Sequence, residues 1–507
     1  MERCWAGGGY CPYFDPDYDS LTERINPPSV SVDNETCVDT TLVKVDGTNK
    51  HGILLEMVQV LTDLDLVISK SYVSSDGGWV MDVFHVTDQF GRKLSDRSLI
   101  SYIQQSLTST RLRGGAEPVK TCLGRVVAPP VTASSEHTAL ELTGSDRPGI
   151  LSELSAVIVK HGCQVVSGQA WTHNSRAACI LYLDGQLSGG ARLRELEDQL
   201  EHVVAAHHGP RERWRLRLRP AAHAASSVHT ERRLHQLMHE DRDFEEEEEE
   251  AEATRKKMAA KVSIESCREK GYSVVGIRSR DRPKLLFDTV CTLTDLDYVV
   301  FHATVSSHGP LAVQEYFIRR MDGRPLDSEA EQRRVARCLV AAVERRVSQG
   351  LRLKVCTPDR LGLLSEVTRV FREHGLTMKG AEIGTLGESA VGTFCVRDAS
   401  GGKVETRTMD SMRKEIGERW PWRWTTRHPG RRRGRAAARP RQAGGATKGE
   451  DPLSAASSGL NLDVSPTTSD PSGLENRNWH AQSLLSLSLS LSLSLSLSLS
   501  LSLTNIR

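Results

Sequence analysis

The chain predicts an α+β fold: four tandem ferredoxin-like βαββαβ modules followed by a low-complexity tail. Two observations carry this. The first is a fourfold repeat of a short apolar strand, an Asp- or Asn-centred turn, and a helix opening on two aliphatic residues. Thr41–Val45 leads into Asn49-Lys50-His51-Gly52-Ile53-Leu54, and Thr138–Leu142 into Asp146-Arg147-Pro148-Gly149-Ile150-Leu151. Ser273–Ile277 leads into Asp281-Arg282-Pro283-Lys284-Leu285-Leu286, and Leu351–Val355 into Asp359-Arg360-Leu361-Gly362-Leu363-Leu364. The second is a change of period after each turn, from one apolar helical face to strand-like alternation.

Within a repeat the elements follow in a fixed order. Ile53, Leu54, Met57, Val58 and Leu61 share one helical face, as do Leu363, Leu364, Val367, Val370 and Phe371. Alternation over Leu66–Ser74 and Trp79–Val86, broken by Ser75-Asp76-Gly77-Gly78, is a hairpin pattern. Cys163–Thr172 with Ala177–Leu183, and Tyr298–Val305 with Leu311–Ile318, repeat it. A second helix is expected at Asp96–Leu107, Ala191–Ala206, Ser328–Val347 and Thr406–Gly417, and Trp214–Arg219 alternates like a closing strand.

This gives an N-terminal segment 1–36, modules at 37–127, 136–220, 271–347 and 350–420, a charged connector 221–268 and a tail 421–507. The connector, with its acidic run Glu245–Glu250 answered by Arg255-Lys256-Lys257, reads as a solvated helix or linker between two halves. Helices cover one face of each module's sheet and leave strand edges unpaired. Repeats one and two are therefore expected to pair, as are three and four, within the chain or through a homodimer. The fourth repeat ends in Glu418-Arg419-Trp420-Pro421-Trp422, and because proline cannot donate to a ladder its closing strand is expected to be irregular or absent. In the tail, Leu485–Leu503 alternates Leu and Ser. A CT dinucleotide repeat encodes that alternation from either starting base, so the tract reads as translated non-coding sequence, and its composition cannot form a core.

The 507 residues suit four modules of about 70 to 90 residues. Lys and Arg (66) balance Asp and Glu (65), so no global field draws the chain to nucleic acid or an anionic membrane. Eleven cysteines without metal spacing, and no long apolar leader, point to reduced thiols inside the cell, in the cytoplasm or nucleus. No apolar run is long enough to cross a bilayer. The phosphate-binding, zinc-protease and serine-hydrolase motifs are missing, and neither a catalytic group, a metal nor a cofactor is expected.

Longer stretches carry a family resemblance. Glu23-Arg24-Ile25-Asn26-Pro27-Pro28, the segment Val45–Val86, Leu142–Gly149, Ala170–Ala178, the connector Val228–Met238 and Glu344–Gly350 resemble the plant ACT domain repeat proteins, over roughly residues 18 to 418. The resemblance implies a small-molecule sensing fold, usually for amino acids, similar to the sensory domains of the bacterial uridylyltransferase that reports glutamine. Lys284 departs from the pattern, standing where Gly52, Gly149 and Gly362 stand elsewhere, and a side chain there narrows the approach to the backbone.

Asn49, Asp146, Asp281 and Asp359 precede a helix, and two roles fit them. A short acceptor side chain can cap free N–H groups, worth about 1 kcal/mol. The neighbouring glycine also lets a ligand carboxylate reach the same helix end, while the acid or amide takes the ligand's ammonium group. The candidate ligand residues are thus Asn49, His51 (as polar lining), Gly52, Asp146, Gly149, Asp281, Asp359 and Gly362. Trp171-Thr172-His173-Asn174 reads as a hairpin turn, since no second metal ligand accompanies its histidine. Two functions compete: a non-catalytic sensor binding amino acids, with glutamine a candidate, and a protein-interaction scaffold without a ligand. A regulated protein partner fits either.

Overall fold

The computed structural model describes residues 28–76, 78–108, 117–127, 137–184, 190–206, 214–220, 229–245, 260–347, 350–400, 402–419 and 425–427. The acidic run beyond Glu245 and the Leu-Ser tract lie outside them, as does Pro421.

The repeats form strand–helix–strand–strand–helix runs. In the first, β1 (Ser29–Asp33) precedes β2 (Thr41–Thr48), α1 (Ile53–Asp63), β3 (Val67–Asp76), β4 (Trp79–Thr87) and α2 (Arg97–Thr108). A small hairpin, β5 (Val119–Lys120) and β6 (Val126–Val127), follows. The second holds β7 (Thr138–Ser145), α3 (Ile150–Lys160), β8 (Gln164–His173), β9 (Arg176–Asp184), α4 (Gly190–Ala205) and β10 (Arg215–Pro220). The connector carries α5 (Thr230–Glu240), and β11 (Lys261–Cys267) opens the third run. There β12 (Tyr272–Arg280), α6 (Leu285–Asp295), β13 (Tyr298–His308), β14 (Leu311–Arg320) and α7 (Glu329–Glu344) follow. The fourth holds β15 (Leu351–Pro358), α8 (Leu363–Glu373), β16 (Leu376–Leu386), β17 (Ser389–Asp398), α9 (Thr406–Arg419) and β18 (Thr425–Arg427).

The runs merge into two eight-stranded antiparallel sheets, ordered β1-β2-β4-β3-β13-β14-β12-β11 and β10-β7-β9-β8-β16-β17-β15-β18. Repeat one therefore pairs with three, and two with four, which overturns the expected pairing of neighbours. The joins are β3 with β13 (Thr304 opposite Tyr72, Val305 opposite Ser71) and β8 with β16 (Ala381 opposite Ala170, Ile383 opposite Gly168). Adjacency counts for little because closing a loop twice as long costs only about 0.6 kcal/mol more. Complementary edges and helix faces decide instead. Each join carries its own continuous core, Val43 to Val343 in the first sheet and Leu140 to Met412 in the second.

Two further expectations change. Repeats one and three take their outer edge strand from before the first core strand, since β1 pairs with β2 and β11 with β12. Repeats two and four take it from after the last helix, through β10 and β18. Hence the order is βαββαβ only in two and four. In repeat four the closing strand exists as a three-residue stub, Thr425–Arg427 against Lys354–Arg352.

The connector helix is no solvated linker. Leu234, Leu237 and Met238 of α5 pack on Trp171, Ala178 and Ile180, covering the helix-free face of the second sheet. Its charges are buried because each meets a partner. Glu231 contacts Lys284 Nζ and Arg346 Nη2, both at 2.6 Å. Arg232 reaches Asp295 at 2.6 Å, Arg233 reaches Glu141 at 2.9 Å, and His229 Nε2 lies 2.9 Å from Asp63 of α1. Counting charge along the sequence could not reveal those partners.

If the joins are as described, residues 28–225 expressed alone leave β3 and β8 as unpaired edges. Sedimentation should show that fragment dimerising or aggregating, whereas a fragment through residue 427 stays monomeric; a well-behaved monomer of the short fragment would contradict the joins.

Candidate functional site

All four turns are built alike. The turn residue donates its backbone N–H across to the hairpin of its own repeat: Asn49 to Gly78 O (2.7 Å), Asp146 to Ser175 O (2.8 Å), Asp281 to Pro310 O (2.8 Å) and Asp359 to Glu388 O (2.9 Å). The residue before each helix is left-handed, with φ of 82° at Gly52, 85° at Gly149 and 84° at Gly362. Lys284 takes the same conformation at φ 66°, which costs an L-residue about 1–2 kcal/mol. The next basic residue pairs with an acid in the helix's first turn: Lys50 with Glu56 (3.1 Å), Arg147 with Glu153 (2.6 Å), Arg282 with Asp288 (2.6 Å), and Arg360 with Glu366. This spacing of six is visible in the sequence, but not as an ion pair until the turn folds back.

The turn side chains do not cap their helices. No side chain bonds the helix N-terminus in any repeat, so the capping role falls away. The physical reason is distance, because the glycine or Lys284 occupies the capping position and the acid stands three residues earlier. Asp146 and Asp359 reach across the join instead. Lys379 Nζ of repeat four donates to Asp146 Oδ2 at 2.9 Å, and Gln164 Nε2 of repeat two donates to Asp359 Oδ2 at 2.8 Å.

Three of the turns border cavities at the joins. Asp146 and Gly149 line one with Ser152, Thr368, Arg372 and Met378, and Asp359 and Gly362 line its mirror with Ser155, Gln164, Val165 and Ile383. Asn49, His51 and Gly52 line a third with Asp82, Tyr298 and Val300. In each, the first turn of a helix in one repeat faces the start of a strand in the other. Such a cleft offers backbone N–H groups and positive helix potential to an anion, beside a carboxylate or amide for a cation. Asp281 is set apart from this pattern. Its turn meets α5, where Lys284 is held by Glu231.

Around that third turn lies a buried charge cluster. Arg345 grips Asp243 through two bonds of 2.6 and 2.7 Å, and its Nη1 donates to His235 Nδ1 at 2.7 Å. His235 Nε2 lies 2.9 Å from Asp288, consistent with a neutral ring that donates there and accepts from Arg345. Burial alone would raise the Asp288 carboxyl, yet Arg346 and Arg282 hold it down, to about 2. Burial likewise opposes Arg345 at Asp243, and Arg345 prevails, again to about 2. Burial keeps His235 below the usual histidine range. Arg346 also lies 4.4 Å over the Trp171 ring. His173 and Asn174 sit at the hairpin as expected, and they dock on Asp243 at 3.1 Å and on its backbone carbonyl at 2.7 Å.

Lys379, Gln164 and Asp82 were not singled out from the sequence. The first two belong to the partner repeat, so nothing local marks them. Asp82 left a signal, an acid at an inward position of the alternating strand Trp79–Val86. Burial pushes its carboxyl up to about 7. Among the described residues no group of three or more metal-ligating side chains could hold an ion, and no helix is long and apolar enough to cross a membrane.

Comparisons with known proteins fit this architecture. The description "ACR family N-terminal ACT domain" matches residues 36–114, and a second ACT domain matches residues 137–207. The Arabidopsis thaliana ACT domain-containing protein ACR3 is 49% identical over 413 residues, covering 80% of this chain and 89% of the relative. ACR4 from the same plant is 47% identical over 411 residues, covering 80% and 88%. A bifunctional uridylyltransferase/uridylyl-removing enzyme of Azospirillum brasilense is 35% identical over 81 residues, 16% of this chain and 9% of that one.

Two outcomes follow from the electrostatics. Arg345→Met strands Asp243 in the interior, and breaking such a pair costs about 3–5 kcal/mol, so denaturant unfolding should show a loss of that size. Asp82 retains its proton in the folded chain to about pH 7 but releases it near 3.8 when unfolded. The native state then binds more protons between those values, and Asp82 removes up to about 1.4 kcal/mol of stability per pH unit as pH rises through that window. Lys50, His51 and Tyr298 border the same cavity and belong in the comparison. Asp82→Asn should flatten the profile between pH 4 and 7 without touching the acid limb below pH 4, which Asp243 and Asp288 set.

Proposed function

This chain belongs to the ACT domain-containing ACR family of plant proteins, and from that premise we propose that it is a non-catalytic regulatory protein that binds a free amino acid. All four runs are read as ACT modules, at 37–127, 136–220, 271–347 and 350–420. The third and fourth share with the first two the hairpin-pinned turn, the left-handed residue before the helix and the spacing-of-six ion pair.

The observation that carries the reading is the mirrored pair of clefts joining repeats two and four. Each presents a carboxylate from one repeat and a polar donor from the other: Asp146 with Lys379, and Asp359 with Gln164. An amino acid seated there would exchange these contacts for its own, its carboxylate at the helix end or Lys379 and its ammonium at the aspartate. Because each cleft is made by two repeats, occupancy changes how they fit together, and that change is the regulatory output. Glutamine is among the ligands to be tested. A scaffold role without a ligand is favoured at one place only, the third turn, where Lys284 and Glu231 occupy the space.

Thermal-shift measurements on the full chain against the proteinogenic amino acids test the reading. A true ligand at a hundred times its Kd adds about 2.7 kcal/mol of stability. The shift should vanish in Asp146→Ala/Asp359→Ala while circular dichroism stays native. An amino acid that stabilises this double variant as well as wild type would place binding elsewhere.

A further inference from the structure

Asp82 sets the first repeat apart from the other three. On β4 it pairs with Val45 of the first core strand, and the register puts Cys179, Gln314 and Gly392 at the same place, opposite Leu142, Ile277 and Val355. Where the others carry a thiol, an amide or no side chain, repeat one carries an acid. It is 1% exposed, between the buried Val80 and Phe84 on the helix-facing side. Its Oδ1 accepts only the Ser74 N–H, at 3.3 Å, and its Oδ2 has no hydrogen-bond partner. A carboxylate left unpaired in a core costs several kcal/mol, so a fold that retains one without a protein cation is missing a partner.

The missing partner can be read from the surroundings. Asp82 lines the cavity that opens at the Asn49–Gly52 turn, with Ile53, Leu54, Val80 and Val300 as aliphatic walls. At its mouth is the N-terminus of the eleven-residue helix α1, which no side chain caps. One end of the cavity thus favours an anion, the buried end a cation, and the walls between them hydrocarbon. Asn49 fits the same logic. With the carboxylate supplied from β4, the turn residue needs no charge.

We propose that the cavity beneath the Asn49 turn takes a small aliphatic α-amino acid, Asp82 pairing with its ammonium group and the α1 N-terminus seating its carboxylate. This rests on the reading that the turns bind amino acids, and it gives repeat one a ligand orientation that the Lys379 and Gln164 clefts do not share.

Calorimetric titration of the full chain separates the two ideas, using L-valine, isobutylamine (ammonium end only) and isovalerate (carboxylate end only). Wild type should bind L-valine and, more weakly, isobutylamine. Asp82→Asn should weaken both by roughly tenfold or more, about 1.4 kcal/mol or above, and leave any isovalerate binding unchanged. Asp146→Ala/Asp359→Ala should retain the Asp82-dependent event. Asp82→Leu, which fills the space with hydrocarbon, provides a second variant, and it should lose the same signal. L-valine binding that is unchanged in both Asp82 variants overturns the inference and leaves the function standing if the Asp146/Asp359 variant loses it. The inference also fails, alone, if L-valine does not bind but another amino acid does so through Asp146 and Asp359. If no amino acid binds wild type, both fall.

Discussion

The antiparallel pairing of β3 with β13 and of β8 with β16 joins the four repeats, and the clefts at the turns exist only because of it. Each repeat hides one sheet face under its helices but leaves one hairpin strand with a row of unsatisfied N–H and C=O groups. Pairing two such edges satisfies them. It also brings helices α1 and α6, and α3 and α8, side by side, with Ser155 Oγ 3.3 Å from Thr368 Oγ1 across the second join. The small residues Gly168 and Ala170 opposite Ile383 and Ala381 give that join its fit. A turn that would be a bare loop in a single repeat thereby acquires a second wall.

The connector helix is the other fixed point. It is amphipathic in the ordinary way through Leu234, Leu237 and Met238, yet its polar face is nearly as buried as its apolar one. Glu231, 2% exposed, faces Lys284 and Arg346, and His235, also 2% exposed, faces Asp288 and Arg345. Buried ion pairs add little net stability but punish the loss of one partner, so such a cluster fixes position more than it adds free energy. Trp171 is shared between this cluster and the Asp146 cleft, stacking on Arg346 while its strand borders the cavity. The closed third turn and the open second turn meet at one residue.

Closure of the third turn explains the departure at Lys284. A lysine is a poor choice for a left-handed position, and the conformational cost of about 1–2 kcal/mol asks for a compensating contact. Its ammonium group finds Glu231 of α5 at 2.6 Å. The glycine turns keep their clefts, whereas the lysine turn is tied to the connector.

Much of the fold was legible because it rests on local periodicity. The hairpins, both helices of every repeat and the four turns follow from alternation, apolar faces and Gly or Asp punctuation, signals that operate over a few residues. The same local reading brought Asn49, His51 and Gly52 together, and Asp146 with Gly149. It failed where a contact spans the chain. The pairing of repeats, the burial of α5, the outer strands β1 and β11, and the roles of Lys379 and Gln164 join residues from about thirty to more than two hundred positions apart. So does the loss of the capping role, since Asp146 and Asp359 found partners in another repeat before their own helix. Sequence by itself determined what each repeat would be, because helix and strand formation is decided by neighbours along the chain. Tertiary structure alone decided which repeats would meet, because edge complementarity and paired burial of charge depend on surfaces that come into being only after the repeats have folded.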